Sequence, residues 1–508
     1  MADIIGRGKE NVKESDFLAE IRYSGDYKLG HIDVINVNGH SAPITPMVQE
    51  LNIFEDIEAN AVTGYAVLLD NLNIINKLSL QGTERLAFKL ATPGTSNSEH
   101  MVDATEKTGY PFYIYALTDK KIVSETSVSY TIHFASRDFM RNTRTRVSQA
   151  YDGPLHQSVI SIFRDPLGLN SRKGLTYEET RNSDKVVIPN LRPFDAINLI
   201  SDKAVSKNSE GAGYYFYETT KGFHFRSYES MLTLQGKFAR KELITLRYQP
   251  TANVKHNKKV EDNIYNVQDY EFIQHYDTAA QQATGTYGST VIMHNIYDKS
   301  YEIKPYEYHK EFSKHFQTDR VGGGSTHNYP VSKTPVDNDE LGVSEYTDSY
   351  VCLKGTTRYL HNRNTGSFGS TVDDEGLTEA TKISQYNQVH NSNILKITMS
   401  GHSYLQAGDV IFFEVPPVEV ERRKDINMGY SFDEHHSGRY LVTKLRHRVA
   451  GGEYKMILEC VKDSVYTSHK STGAYTGKIS PLGKLINLYD EDKKQSGEKA
   501  SPGHPSDM

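Results

Sequence analysis

The chain has 508 residues, and 58 Lys and Arg against 64 Asp and Glu give a formal net charge of −6. At about 100–200 residues per domain, this length predicts about three domains. The apolar stretches fall short of the ~18 residues that a bilayer crossing needs and basic residues form no block, which excludes a membrane-spanning helix and argues against tight binding to a nucleic-acid duplex.

The chain begins with a charged, aperiodic segment, residues 1–16, which predicts a flexible arm. It has no apolar leader, so we expect synthesis in the cytoplasm. Short alternating runs over 17–146 then predict a first tube-like β-barrel domain. The clearest run places apolar residues on one face of a strand, namely Val128, Tyr130, Ile132 and Phe134. The 34 Tyr and the absence of Trp suit half-buried sheets and interfaces.

The pattern changes to a mixed α/β insertion over 147–235. Phe194, Ile197 and Ile200 recur at helical spacing after Pro193, and residues 214–227 read as a β-hairpin. Strand-like, Tyr-rich sequence resumes at about 236–310, and we assign it to the first barrel together with 17–146.

Residues 311–470 predict a second tube-like barrel with a loop insertion, a helix near 377–389 and a hairpin over 438–461. The tail, 471–508, is polar and is expected to be flexible apart from 481–488. That segment carries four apolar residues at helix-like spacing, and we expect it to dock onto a spike or an adjacent subunit. They are Leu482, Leu485, Ile486 and Leu488.

The sequence shows no catalytic, cofactor-binding or metal-binding pattern. Cys352 and Cys460 are too far apart for a zinc knuckle and are expected to be small packed residues. Ser403 lacks the closing glycine of a nucleophile elbow and is expected to lie in a turn between strands. The histidines lack metal-ligand spacing, the glycine run at 322–324 lacks the phosphate-loop Lys, and the acids at 373–375 fit a helix start.

Several phrases, taken in chain order, resemble one family. They are residues 129–136, 142–148, 187–197, 214–219, 222–225, 405–411, 415–416, 437–443 and 445–447. Over most of 17–468 they resemble the central baseplate hub proteins of contractile-tailed phages, which are similar in fold to the hub part of type VI secretion spike proteins. The order of barrel, insertion and barrel agrees with that family.

The resemblance implies a mainly β (β+α) fold with two tube-like antiparallel β-barrel domains and a mixed α/β insertion, assembled as a homotrimeric, pseudo-sixfold ring. A hexameric tail tube protein would bind one face and a trimeric tail spike the other, with baseplate wedge proteins around them. Three chains at −6 each sum to −18, so viral DNA would pass through the channel without specific binding. The resemblance implies a virion protein of the tail baseplate, made in the host bacterial cytoplasm.

Two alternatives stay open at this point. The chain could be the hub of a type VI-like or extracellular contractile injection machine, in which the cargo is protein. It could also be a tail-associated cell-wall hydrolase, although the sequence nominates no acid or nucleophile for that activity. We predict a protein that is not an enzyme and needs no cofactor.

Overall fold

A computed structural model describes the larger part of the chain. The described residues are 23–93, 101–107, 110–233, 243–248, 264–296, 299–319, 329–333, 335, 341–355, 374–416, 433 and 436–465, with the backbone of 477–479 and 485–487. Those up to 465 belong to one compact unit, and the two tail segments belong to a second unit. No helix among the described residues is long and apolar enough to cross a bilayer.

The strands fall into three stretches of the chain. The first contains β1 (Lys28–Leu29), β2 (Asp33–Ile35), β3 (Ser41–Pro43), β4 (Val48–Asp56), β5 (Thr63–Asp70), β6 (Arg85–Ala87), β7 (Lys89–Ala91), β8 (Val102–Asp103), β9 (Phe112–Ser124) and β10 (Ser127–Ala135). The second contains β11 (Val147–Pro154), β12 (Leu175–Tyr177), β13 (Ser183–Leu191), β14 (Tyr214–Thr219) and β15 (Gly222–Ser227). The third contains β16 (Ile244–Tyr248), β17 (Asn266–Gln274), β18 (Gly288–His294), β19 (Tyr301–Glu307), β20 (Val351–Gly355), β21 (Asn393–Ser400), β22 (Val410–Glu414), β23 (Gly438–Ala450) and β24 (Glu453–Lys462), followed in the tail by β25 (Gly477–Ile479) and β26 (Leu485–Asn487).

The helices are short, with one exception near the C-terminal third. They are α1 (Ile74–Leu78), α2 (Arg137–Arg144), α3 (Leu155–Arg164), α4 (Pro193–Ser201), α5 (Tyr228–Leu232), α6 (Thr278–Ala283), α7 (Tyr308–Glu311) and α8 (Glu375–Asn391). Single 3₁₀ turns occur at Thr45–Met47, Phe312–Lys314, Val343–Glu345 and Thr347–Ser349.

Six strands close into a barrel in the order β16, β17, β21, β24, β23 and β22, with β22 paired back to β16. The barrel is antiparallel except at β16, which runs parallel to both neighbours. Alternate residues of its strands, including Leu246, Ile397, Phe413 and Leu458, are fully buried in one core. The hairpin of β23 and β24 turns at Gly451 and Gly452, whose positive φ angles suit glycine.

Strand β23 is shared between the closed barrel and the N-terminal sheet. Its first residues, 438–441, pair with β22, and its last residues, 444–450, pair with β4. The ladder then continues through β5, β10, β9, β6, β2 and β3. Residues of both parts belong to the same hydrophobic core. The predicted mainly β fold is therefore confirmed, and among the described residues the hydrogen bonds close one barrel and leave the N-terminal sheet open.

The insertion over 147–232 has its own core. Strand β11 pairs with β13, and β15 lies between β12 and β14. Helices α3 and α4 contribute fully buried residues such as Ile162, Phe163 and Ile197. Pro193 occupies the first turn of α4, where the missing N–H has no helical acceptor to lose.

A further small sheet has the order β19, β18 and β20. One face of this sheet packs against α8 through Val291, Met293 and Ala380. Asp374 caps α8 by accepting the backbone N–H of Leu377 at 3.0 Å, in line with the role expected for the acids at 373–375. Asp373 lies outside the described residues.

The sequence-based domain boundaries need one correction. They joined 236–310 to the first barrel, but β16 and β17 lie in the closed barrel and pair with β22 and β21. Short alternating strands show which face is buried but not which strand they pair with, because partner choice is set by non-local packing.

Candidate interaction surface

Buried charged groups join the insertion to the rest of the molecule. Glu55 of β4 is fully buried and accepts the backbone N–H groups of Thr220 at 2.7 Å and Ala407 at 2.9 Å. Burial favours a higher pKa for Glu55, but the His447 imidazole and these two hydrogen bonds outweigh it and hold the pKa below its ordinary value. Glu55 thus connects β4 with the turn between β14 and β15 and with a barrel loop.

A second buried cluster surrounds Lys173. Its ammonium group contacts the carboxylate of Glu218 and lies 4.0 Å from that of Asp138. Glu218 also accepts the backbone N–H of Val62 at 3.0 Å. Burial raises the pKa of both carboxyl groups, and the Lys173 charge opposes that rise. The cluster fixes the insertion to the start of β5.

A third cluster ties the segment between β19 and β20 to the end of β24. Lys462 forms a buried ion pair with Asp319 at 2.8 Å, and Thr318 donates its backbone N–H to Asp463 at 2.8 Å. Burial lowers the pKa of Lys462 and raises that of Asp319. In all three clusters the charged groups bind one another and the backbone, which is typical of structural networks.

The residues weighed for chemistry in the sequence are separated in the structure. Ser403 lies between β21 and β22, where its hydroxyl accepts the backbone N–H of Thr92 at 3.1 Å. His309 lies 2.7 Å from the Ser344 hydroxyl, His436 pairs with Asp433, and His435 is outside the described residues. Both Cys are free thiols. Within the ranges that the structure describes, no three His, Cys, Asp or Glu residues are grouped as metal ligands.

An exposed apolar surface lies on the outer face of the small sheet. We call it the apolar sheet face and define it by the outward residues of β18, β19 and β20. Register places Leu353, Ile292 and Ile303 side by side across the three strands. Leu353 is 69% exposed and Tyr301 is 68% exposed. The members of the face are Ile292, His294, Tyr301, Ile303, Pro305, Val351 and Leu353. Thr290 shares their side of the sheet but is buried, and its hydroxyl donates to the Thr347 carbonyl at 3.0 Å.

The two lysines of this sheet point the other way. Lys304 reaches the α8 cap residue Asp374 at 3.1 Å, and Lys354 pairs with Glu379 of α8. The strands therefore alternate as expected for a half-buried sheet, but the side that faces away from the helix is mainly apolar, with Glu307 and its partner Lys310 at one end. Water contacts on such a face are unfavourable, and a contiguous exposed apolar patch is typical of a binding surface.

A second exposed apolar element is the end of the hairpin formed by β9 and β10. On β9, Leu117 lies opposite Ile132 of β10 and Ile122 lies opposite Val128. They share the face of the hairpin that carries the core residues Ile114 and Phe134 nearer its base. Ile122 is 81% exposed, and the adjoining Val123 is also exposed. In the described pairings β6 pairs with β9 at residues 112 and 113 alone, so the rest of β9 forms an open edge, while β10 pairs with β5 from Val128 to Ala135.

A cleft of about 670 Å³ separates the insertion from β20 and α8. Lys382 crosses its wall, with ion pairs to Asp202 at 2.7 Å and Glu379 at 2.9 Å. His390 lies 2.8 Å from Glu58 at the end of β4. The polar side chains of this cleft are thus engaged with one another across the modules.

The predicted docking segment is described in part. Leu485 and Ile486 lie in β26, which pairs antiparallel with β25. These residues form a strand and not the helix that their spacing suggested, because four apolar residues in a short polar tail fit the period of a strand as well as that of a helix. Leu482 and Leu488 lie outside the described residues, and docking of this segment stays a prediction.

The sequence interpretation missed the apolar sheet face. The signal was present as alternation, with Tyr301, Ile303 and Pro305 at every second position of β19 and Val351 and Leu353 at every second position of β20. Alternation alone shows two faces but does not show which of them a helix covers. The pairing with α8 was needed to decide that the charged side is turned inward.

Comparison with known proteins gives similarities of fold. The chain is similar to a tail protein from Neisseria meningitidis MC58, with a TM-score of 0.46, 11% identity and coverage of 86% of this chain and 97% of that one. It is also similar to the 43 kDa tail protein of prophage MuSo2 from Shewanella oneidensis, with a TM-score of 0.46, 7% identity and coverage of 86% and 99%. A component of the E. coli type VI secretion system matches with a TM-score of 0.36, 10% identity and coverage of 84% and 76%.

No family model and no curated protein matches the chain. The described residues define a mainly β protein with an exposed apolar sheet face. These structural neighbours are two phage or prophage-type tail proteins and a component of a type VI secretion system. The resemblance found in the sequence was to the same class of proteins.

Proposed function

We propose that this protein is the central hub of a contractile phage tail baseplate, a structural virion protein that joins a sixfold tail tube to a trimeric spike. The observation that carries the proposal is the shared strand β23, which fuses a closed barrel and a seven-strand sheet through one ladder. Each chain thereby holds two β-modules in a fixed relation.

Three such chains in a ring would present six β-modules with true threefold symmetry. A surface of this kind resolves the mismatch between a hexameric tube protein on one side and a trimeric spike on the other, because each tube subunit meets one module. Baseplate wedge proteins would bind the outside of the ring. The negative charge of the chain favours DNA passage without adhesion, since phosphates are repelled by acidic walls.

The buried networks support this role. Glu55, Lys173 and Lys462 each connect different modules through contacts shielded from water. Ion pairs with little exposure are screened weakly by salt. A subunit that transmits force between a tube and a spike needs such fixed connections between its parts.

The test is the solution mass of the purified protein by light scattering, with negative-stain class averages from the same peak. We expect a mass of three times 57.4 kDa and rings with six lobes around a central hole. A monomer that stays monomeric on co-expression with the neighbouring spike gene product would refute the proposal. A zymogram on cell walls tests the hydrolase alternative, and we expect no clearing.

A further inference from the structure

We propose that the apolar sheet face binds the β9–β10 hairpin of a second copy of this chain. The inference rests on the proposed function, because it names the two surfaces through which hub subunits meet. The contact is head-to-tail, with the face of one copy receiving the hairpin of the next.

The size of the face fits a subunit interface. Its most exposed apolar residues, together with Ile296 at its rim, present roughly 600 Å² of accessible surface, the upper end of what single patches on monomers reach. Each partner in a standard protein interface buries about 800 Å². The face supplies most of that area before any rim contact is added.

The chemistry of the face selects an apolar protein partner. Apart from Glu307 at one end of β19, which pairs with Lys310, the outward positions carry no Lys, Arg, Asp or Glu. Lys304 and Lys354 are engaged with α8 on the other side. A nucleic acid or an anionic surface would leave its charges without counter-ions there. An element with exposed aliphatic side chains would instead remove apolar surface from water on both sides.

The β9–β10 hairpin is such an element on the same chain. Its end carries Leu117, Ile122 and Val123 exposed to water. Beyond residue 113 the outer edge of β9 is open in the described pairings, and an open edge strand with apolar side chains is a template for contact with another chain. Asp119, with a φ of 53°, lies at an irregularity in the pairing of β9 with β10, and such bulges bend the strand that carries them.

The two surfaces also have the relation that a ring requires. A closed ring of identical chains is built from two different patches that occur once on each chain, whereas a patch that binds its own copy gives a twofold dimer. The sheet face and the hairpin end are two different patches of the chain, so their contact is heterologous and repeats around an axis.

The first experiment is cross-linking between defined positions. In a Cys352→Ser background, a chain with Leu353→Cys is co-expressed with a chain with Ile122→Cys and treated with a short bismaleimide. We expect a covalent dimer from the mixture, covalent dimers and trimers from the chain carrying both changes, and no product from Leu353→Cys alone. The matched control is Val187→Cys, which, like Ile122→Cys, replaces an exposed β-branched residue, here on β13, and we expect it not to cross-link to Leu353→Cys.

A homotypic Leu353→Cys product would overturn the inference in favour of a face-to-face dimer. Absence of the mixed product from a protein that has trimeric mass would overturn it as well. The proposed function would survive both results if the ring is still seen.

The second experiment changes the charge of the face. Leu353→Arg with Ile303→Arg should reduce the light-scattering mass threefold, to 57.4 kDa, with unchanged circular dichroism. Val187→Arg should leave the mass of the wild type. A ring that persists in the double variant overturns this inference alone, while a wild-type chain that remains a monomer with its spike overturns the proposed function and this inference together.

Discussion

Replacing Lys173 with Met should destabilise the attachment of the insertion in a pH-dependent way. Met keeps an apolar stem but removes the positive charge, which lies 6.0 Å from the centre of the Phe223 ring and between two buried carboxyl groups, Glu218 and Asp138. The side chain of Glu218 is 0% exposed and that of Asp138 is 2% exposed. Removing one partner of a buried pair costs about 3–5 kcal/mol, because the remaining charge stays uncompensated. At pH 7 this corresponds to a factor of about 10²–10³ or more in the unfolding equilibrium.

The pH dependence follows from the direction of the pKa shifts. Burial raises the pKa of Glu218 and Asp138 in the folded protein, so their contribution to stability is largest at low pH and is lost as pH rises through the folded pKa. Without Lys173 both pKa values rise further. The loss in free energy of unfolding caused by Lys173→Met should therefore be largest at pH 8 and should shrink toward pH 5, where the buried carboxyl groups bind protons.

Urea denaturation followed by circular dichroism at pH 5 and pH 8 measures this difference. Lys207→Met is the matched control, because Lys207 pairs with Glu179 at 2.8 Å on the surface of the same insertion and both side chains are more than half exposed. We expect about 0–1 kcal/mol for the control. Equal losses for the two variants, or a loss for Lys173→Met that does not change with pH, would refute the reasoning.

Three further predictions concern packing, capping and thiol access. Gly64→Ala places a methyl group 2.4 Å from the Phe134 ring and should lower the free energy of unfolding by about 1–3 kcal/mol, measured by urea denaturation. Gly174→Ala is the control, because its methyl group meets open space, and it should cost far less. Similar losses in the two variants would argue against close packing at Gly64. Asp374→Ala removes the cap of α8 and should lower the free energy of unfolding by about 1 kcal/mol in the same assay. Asp374→Asn keeps the capping side chain and should retain most of that stability. A loss as large as that of Asp374→Ala would show that the ion pair with Lys304 contributes more than the cap. Burial raises the pKa of the Cys460 thiol, so Ellman's reagent should leave Cys460 unreacted in the native protein and react with it in denaturant; rapid native labelling of Cys460 would contradict its burial.

Local elements were accessible from the sequence because their patterns are local. The period-2 run in β10 placed Tyr130, Ile132 and Phe134 on the buried face, where the structure has them. The helical spacing after Pro193 gave α4, and apolar runs on either side of a glycine turn gave the hairpin of β23 and β24.

Partnerships between distant elements were not accessible in the same way. The parallel pairing of β16 with β22 depends on residues more than a hundred positions apart. The apolar sheet face depends on which side of β18 is covered by α8, and the buried clusters around Glu55 and Lys173 depend on the docking of the insertion. Each of these is decided by tertiary packing, which a single sequence does not encode in any short window.

The sharing of β23 between the barrel and the N-terminal sheet also sets an order of events during synthesis. The outer edge of β4 cannot pair until residues 444–450 have been synthesised. These residues leave the ribosome about 20–80 s after β4 at typical rates of about 5–20 residues per second. During that interval the N-terminal sheet carries an unpaired edge, and contacts of such large sequence separation form slowly. A nascent chain that ends before β23 would therefore be prone to aggregate, and its yield should depend on chaperones that shield β4 until the last strands arrive.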